Sequence, residues 1–209
     1  MIQAEQSSPP SELSPGAQGI LKIAEALFAE KGFDAVSLNQ IAMHAQVSKA
    51  NIFHHFKSKE ALYLSVLKGA CTRSAAALDV GKTRSTDNPL EQMEQFYLSH
   101  LQTILSESLS TQLIQRELME NSEQRGKQLA EEVFADTFSK VVSLVNRAKA
   151  KGMVREEIDP SLLAFLLLGS SGIFFEMRSV LKHLPDVHFA ESPEDYSAAV
   201  IDILKNGFK

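Results

Sequence analysis

One cysteine, Cys71, stands in 209 residues, so no intramolecular disulfide can brace this fold. Ala70, Ala75 and Leu78 lie at helical spacing from it and mark it as a packed thiol. Long apolar runs are also scarce. The longest, Leu162 to Phe175, is shorter than a bilayer crossing and is split by Gly169-Ser170-Ser171-Gly172, so no membrane association is expected. The first 15 residues are acidic and rich in Ser and Pro, unlike a basic-then-apolar leader, and a cytoplasmic protein is expected. No stretch alternates with period two, which excludes strands from the expected fold. No two histidines stand at i, i+3 or i, i+4 spacing, so neither a metal site nor any other cofactor is expected.

Catalytic signatures are equally thin. There is no phosphate-binding glycine loop and no nucleophile elbow. The S-x-x-K spacing occurs twice, at Ser65 to Lys68 and Ser179 to Lys182, but its S-D-N and K-T-G companions are missing. A small helical enzyme is therefore the weakest of the competing classes.

What is present is an ordinary globular composition, 44% hydrophobic and 22% charged, with length enough for a buried core. The net charge of −5 is unevenly spread. From Gly16 to Ala70, six lysines face four carboxylates (Glu25, Glu30, Asp34, Glu60), a local net of +2 that leaves −7 for the remainder. A basic face on an acidic body is compatible with binding phosphates and limits indiscriminate binding.

The segment SLNQIAMHAQVSKANIFHHFKSK, from Ser37 to Lys59, carries the functional signal. Ser37 and Gln40 form a capping box at a helix start. Leu38, Ile41, Ala42 and Ala45 share one face of that helix. Ser48 caps a second helix, with Ile52 and Phe56 inward at i, i+4. So short a turn makes the helices cross steeply, and Ala42 is the small residue where they touch. This is a helix-turn-helix pattern, whose second helix lies in the DNA major groove.

Upstream, Ser14-Pro15 starts a helix bearing Ile20, Ile23, Ala24, Leu27 and Phe28 on one stripe. Gly32 is its expected left-handed stop, with Phe33 folding back. The segment from about Ile20 to Leu67 resembles the DNA-binding domain of the tetracycline-repressor (TetR) family of transcription regulators. The resemblance rests on AEALFAEKGFDAVSL, AQVSKANIFHHF and KSKEALYLSVL. Two positions depart from the family pattern: Gln46 stands where glycine is common, and Phe53 where a phosphate-contacting tyrosine is usual.

The pattern predicts DNA contacts from Ser37, Ser48, Lys49, Ala50, Asn51, His54, His55, Lys57 and Lys59. Lys49, Asn51 and His54 should read base edges, while Ser37, Lys57 and Lys59 should hold phosphates. Ser58 caps the following helix, whose N-terminus favours a phosphate. His55 comes from the family's His-Phe pair, as either a contact or a brace. A helical adaptor that binds only protein is the alternative, and the polar face of the second helix argues against it.

Three segments are expected: a disordered arm at 1–13, the helix-turn-helix domain at 14–68, and a helical regulatory and dimerisation domain at 69–209. Gly81 to Asn88 reads as a hydrophilic break. Helices are expected from Pro89, over Thr111 to Met119, from Leu129 to a stop at Gly152, from Asp159-Pro160 to about Leu184, and from Pro193 onward. Asn121 to Arg125 reads as a loop. The fold class is all-α.

The resemblance implies a repressor released from a palindromic operator by a small effector held in the second domain, and a homodimer through the last two long helices. These are the 162–184 and 196–204 segments. Met93, Phe96, Tyr97, Met119, Phe134, Phe138, Phe165 and Phe174 supply the apolar lining expected for that effector. His100 and Arg116 are the polar groups expected to hold its carboxylate or hydroxyl.

Overall fold

Ser14 opens the first helix, its hydroxyl accepting from the Ala17 N–H at 3.3 Å ahead of Pro15 at the first helical position. In the computed structural model, which describes residues 13–83, 87–120 and 123–208, this helix is α1 (Pro15–Lys31). Gly32 ends it at φ 82°, ψ 167°. The φ is positive as expected, but the ψ is extended rather than left-handed helical, a combination open essentially to glycine alone. Phe28 is fully buried, stacks on Phe33 at 6.0 Å and meets Tyr63 edge-on at 5.0 Å. Aromatic packing of this kind holds α1 against the helices that follow.

Those helices are α2 (Leu38–Ala45), α3 (Lys49–Phe56) and α4 (Lys59–Thr83). The chain divides into two compact units, one ending at Val66 and one beginning at Leu67, so the boundary falls inside α4. Of the expected arm, all but Leu13 lies outside the described residues. α4 runs past Gly81 to Thr83, so the expected break starts later than its composition suggested. Residues 84–86 lie outside the described residues.

The second unit is built from α5 (Pro89–Ser106), α6 (Ser108–Glu120), α7 (Glu123–Leu129), α8 (Ala135–Ala150), α9 (Pro160–Leu181) and α10 (Pro193–Phe208). Between α7 and α8, Ala130–Phe134 form a π-turn, so the expected long helix contains a local widening. The loop expected at Asn121 to Arg125 is shorter than that, because Glu123 already begins α7; Asn121 and Ser122 lie outside the described residues. Gly152, at φ 67°, ends α8, and the Met153 N–H returns to the Ala148 carbonyl at 3.0 Å. Asp159 caps α9 by accepting from the Ser161 and Leu162 N–H groups. α9 stops at Leu181, short of the expected Leu184.

α5 packs against α8, α9 and α10. The core between them includes Met93, Phe96, Tyr97, Val141, Leu144, Val145, Leu163, Leu167 and Ile201. A second cluster joins Leu101, Ile104, Phe174 and Ala190, and Phe174 stacks on Tyr196 at 4.0 Å. The Tyr97 hydroxyl donates to Ser170 Oγ at 2.9 Å, because that oxygen spends its own proton on the Leu167 carbonyl. Tyr196 donates to the Ser170 carbonyl at 2.8 Å. No strand occurs among the described residues, and the fold is all-α.

Over its 22 residues α9 has the length and mean hydropathy of a membrane-crossing helix. The run read from sequence as too short is thus longer once Gly169 to Gly172 are seen to continue the helix. One face of α9, with Leu163, Ala164, Leu167, Ser171 and Phe174, is nevertheless packed inside the helical core.

Candidate DNA interface and ligand cavity

The capping box at α2 is complete. Ser37 Oγ accepts from the Gln40 N–H at 3.2 Å, and Gln40 Oε1 accepts from the Ser37 N–H at 2.8 Å. Leu38, Ile41 and Ala42 face inward. The turn passes through Gln46 in the left-handed region (φ 55°, ψ 39°), and the Val47 N–H closes on the Ala42 carbonyl at 3.0 Å. Ser48 Oγ then accepts from the Asn51 N–H at 3.1 Å and starts α3. Ile52 and Phe56 are buried, which turns Ala50, Asn51 and His54 outward on the opposite face, while Lys49 is exposed at the first turn beside Phe53.

Ser37, Ser48 and Lys57 are also exposed, whereas His55 and Lys59 are half-buried. The His55 ring lies against α1, its Nε2 being 3.8 Å from where a Cβ on Gly16 would stand. His54 and His55 meet edge-on at 5.1 Å. No group of three or more His, Cys, Asp or Glu could hold a metal ion among the described residues. Phe53 is exposed, with Lys49 Nζ 5.8 Å from its ring centre.

The end of α3 is strained. Lys57 has φ 61° and ψ −39°, and the Ser58 N–H reaches the Phe56 carbonyl at 2.6 Å, a γ-turn of the rarer sense. Ser58 Oγ accepts from the Ala61 N–H at 3.0 Å, so α4 begins at once. Lys59 Nζ sits 4.2 Å from the Phe33 ring centre and donates to the Asp34 carbonyl at 3.4 Å. These bends bring two lysines and a helix N-terminus to the end of the outward helix.

In the second unit a cavity of about 310 Å³ is walled by α4, α5, α6, α8, α9 and the π-turn. Four of the ten residues expected to hold a ligand line it: His100, Phe134, Phe138 and Phe165. Met93, Phe96, Tyr97 and Phe174 are not on its wall but inside the two core clusters. Arg116 and Met119 are exposed on the outer face of α6, because Thr111, Ile114, Gln115 and Leu118 turn that helix's other face to the cavity. Sequence reasoning missed the α4 wall of Ala70, Cys71 and Ser74. Its signal was the small size of these side chains, which leave room opposite the aromatic groups.

His100 is one of three buried polar residues on the cavity wall, with Ser110 and Thr111. Burial holds its imidazole below the usual histidine value, against the raising effect of a 3.3 Å Nδ1 contact with the Ser74 carbonyl. Burial pushes the Cys71 thiol up to about 12, the nearby Arg73 opposing it, so the thiol stays protonated and unreactive.

Two short crossed helices with a polar outward face, followed by a larger helical unit enclosing a cavity, define a helix-turn-helix DNA-binding regulator. Residues 20–66 match the model for bacterial regulatory proteins of the tetR family. The HTH-type transcriptional repressor KstR2 of Mycobacterium tuberculosis is 26% identical over 145 residues, 69% of this chain and 72% of that protein. The HTH-type regulator YdeS of Bacillus subtilis is 26% identical over 92% of this chain and 87% of its own length. In structure, the fatty acid degradation regulator FadR of Bacillus halodurans matches with a TM-score of 0.75 at 18% identity, covering 95% of this chain and 99% of that one. Residues 20–66 thus carry a tetR-type DNA-binding domain, and the chain is similar over most of its length to transcriptional regulators that share it.

Proposed function

We propose that the chain is a repressor that reads a palindromic operator through α3 and leaves it when a small, largely apolar molecule enters the α4–α9 cavity. The observation that carries the DNA half is the exposed face of Ala50, Asn51 and His54, with Lys49 exposed at the helix start, backed by the buried Ile52 and Phe56. Ser37, Ser48, Lys57 and Lys59 hold phosphates, Lys49, Asn51 and His54 supply base discrimination, and His55 braces α3 against α1. Selection from random duplexes should yield a two-fold symmetric site. A folded Lys49/Asn51/His54 triple alanine variant should lose that preference, and unchanged affinity would refute the assignment.

Two copies read the two half-sites. The partner surface is the outward face of α9, where Leu162, Phe165, Leu166, Ile173, Met177 and Val180 are exposed, together with Ile203 of α10. So continuous an apolar stripe is uncommon on a surface that stays wet. The effector half rests on the cavity's aromatic walls. The regulators named for fatty acid degradation and ketosteroids are similar to this chain in fold, in keeping with an apolar effector. Three wall residues, Ala70, Cys71 and Ser74, lie on α4, the helix that begins at Lys59 among the DNA-facing residues, so the signal travels along it. Release requires the ligand to favour the DNA-incompetent state, since equal affinity for both states shifts nothing. The protein acts in the cytoplasm, where its operator is.

A further inference from the structure

The arrangement of hydrogen-bonding groups in the cavity narrows the ligand, given the effector reading above. We infer that the cavity takes an uncharged apolar molecule bearing a hydroxyl, whose O–H donates to Nε2 of His100. His100 is 8% exposed, and its ring is stacked on Phe96 at 5.4 Å. Its Nδ1 lies 3.3 Å from the Ser74 carbonyl, which can only accept, so Nδ1 carries the ring proton. In the neutral ring Nε2 is then a bare acceptor, and it has no hydrogen-bond partner among the described residues. No fully enclosed side-chain nitrogen or oxygen lacks a partner among those residues, so Nε2 is an atom that the cavity space reaches.

The neighbouring hydroxyls also present acceptors. Ser74 Oγ donates to the Cys71 carbonyl at 2.9 Å, and Thr103 Oγ1 to the Ser99 carbonyl at 2.9 Å. Thr111 Oγ1 donates to the Ile104 carbonyl at 2.9 Å. Their protons are committed to the main chain, and each oxygen retains the capacity to accept. Among the described residues the one charged group on the wall is Glu107, a carboxylate that pairs with Arg73 at 2.7 Å, and no lysine or arginine lines the cavity. A ligand carboxylate would lose its water with no lysine or arginine among the described wall residues to replace it. Gln115, with one N–H given to the Gly172 carbonyl, can serve a second neutral polar atom but brings no charge. A buried acceptor left unpaired is costly, so a site of this kind rejects the analogue that lacks the donor.

The test uses the full-length protein and three probes of equal chain length near neutral pH: decanol, decyl methyl ether and decanoate. Titration calorimetry should show decanol binding about tenfold or more tighter than either of the others, the effect of one well-made buried hydrogen bond. His100→Phe should abolish the difference between decanol and the ether. Should that variant misfold, nitrogen NMR of the wild-type histidine ring supplies the same discrimination, since Nε2 should shift with decanol and not with the ether. Tighter binding of decanoate, with the advantage erased by Arg73→Gln, would overturn the inference while leaving an apolar effector in place. An alcohol-to-ether ratio unmoved by His100→Phe would overturn it equally. Binding of none of the three would bring down the effector reading as well.

Discussion

Gln46 carries a side chain where the turn demands positive φ, at 55°. The Cβ of an L-residue crowds the following carbonyl there, and glycine removes that crowding at some cost in chain entropy. Gln46→Gly should therefore raise the unfolding free energy by about 0.5–1 kcal/mol, measured by urea denaturation. Lys59 has two tasks: its ammonium lies over Phe33 and is also placed beside the phosphate path of the proposed interface. Lys59→Ala should flatten the salt dependence of DNA binding by about one unit and lower stability by about 0.5–1 kcal/mol. Loss of one effect without the other would separate the tasks. His100 has its own pH signature. Burial lowers its folded value below the ordinary histidine value of about 6.5, so below that pH the unfolded chain binds the proton first. Stability is full above the unfolded value and falls as pH drops toward the folded one, by up to about 1.4 kcal/mol per pH unit for this one group. Denaturation of wild type and a folded His100→Phe variant across this range should show the shallower slope in the variant.

The helices differ in what their faces are for. α3 has two jobs divided by 100° steps: Ile52 and Phe56 inside, Asn51 and His54 outside. α9 is divided likewise, but both its faces are apolar. Leu163, Leu167 and Phe174 enter the core, while Phe165 and Ile173 remain 62% and 63% exposed. Ile173→Glu would set a charge in the middle of the outer stripe, where a two-fold interface repeats it near its own copy. Light scattering at micromolar concentration should show a dimer for wild type and a monomer for this variant, with α-helical content unchanged. The π-turn at Ala130–Phe134 shows how a helix can depart locally from its pattern: the widened turn sets Phe134 on the cavity wall, four residues before Phe138. Such turns recur at functional sites.

For the molecule as a whole, α4 is the element common to both units, from Lys59, one of the proposed DNA contacts, to the cavity wall at Ala70, Cys71 and Ser74. Under the proposed mechanism a ligand that fits the cavity stabilises the folded protein by mass action, by about 2.7 kcal/mol at one hundred times its dissociation constant. The same ligand must weaken operator binding, and by reciprocity operator DNA must weaken ligand binding by the same factor. Calorimetric titration of decanol with and without a selected operator duplex measures that factor. Equal affinities in the two experiments would show that the cavity and the DNA face are uncoupled.

Local chemistry made the DNA-binding unit legible. Ser37 with Gln40, Ser14 with Pro15, Gly32 after Lys31 and Ile52 with Phe56 each act within a few residues, so adjacent sequence suffices to place helix starts, stops and inward faces. The cavity was legible only in part, because an empty space is made by residues far apart in the chain. Phe134, Phe138 and Phe165 do line it, yet the equally aromatic Phe96, Tyr97 and Phe174 are consumed by the core. Nothing in the spacing of Arg116 tells which side of α6 faces the domain; packing turned Ile114 and Gln115 inward and left Arg116 in solvent. Cys71 and Ser74 gained their place on the wall from what stands across from them. A helix face is set by a period that sequence records, whereas a cavity is set by how several faces meet, and that depends on the packing of the whole unit.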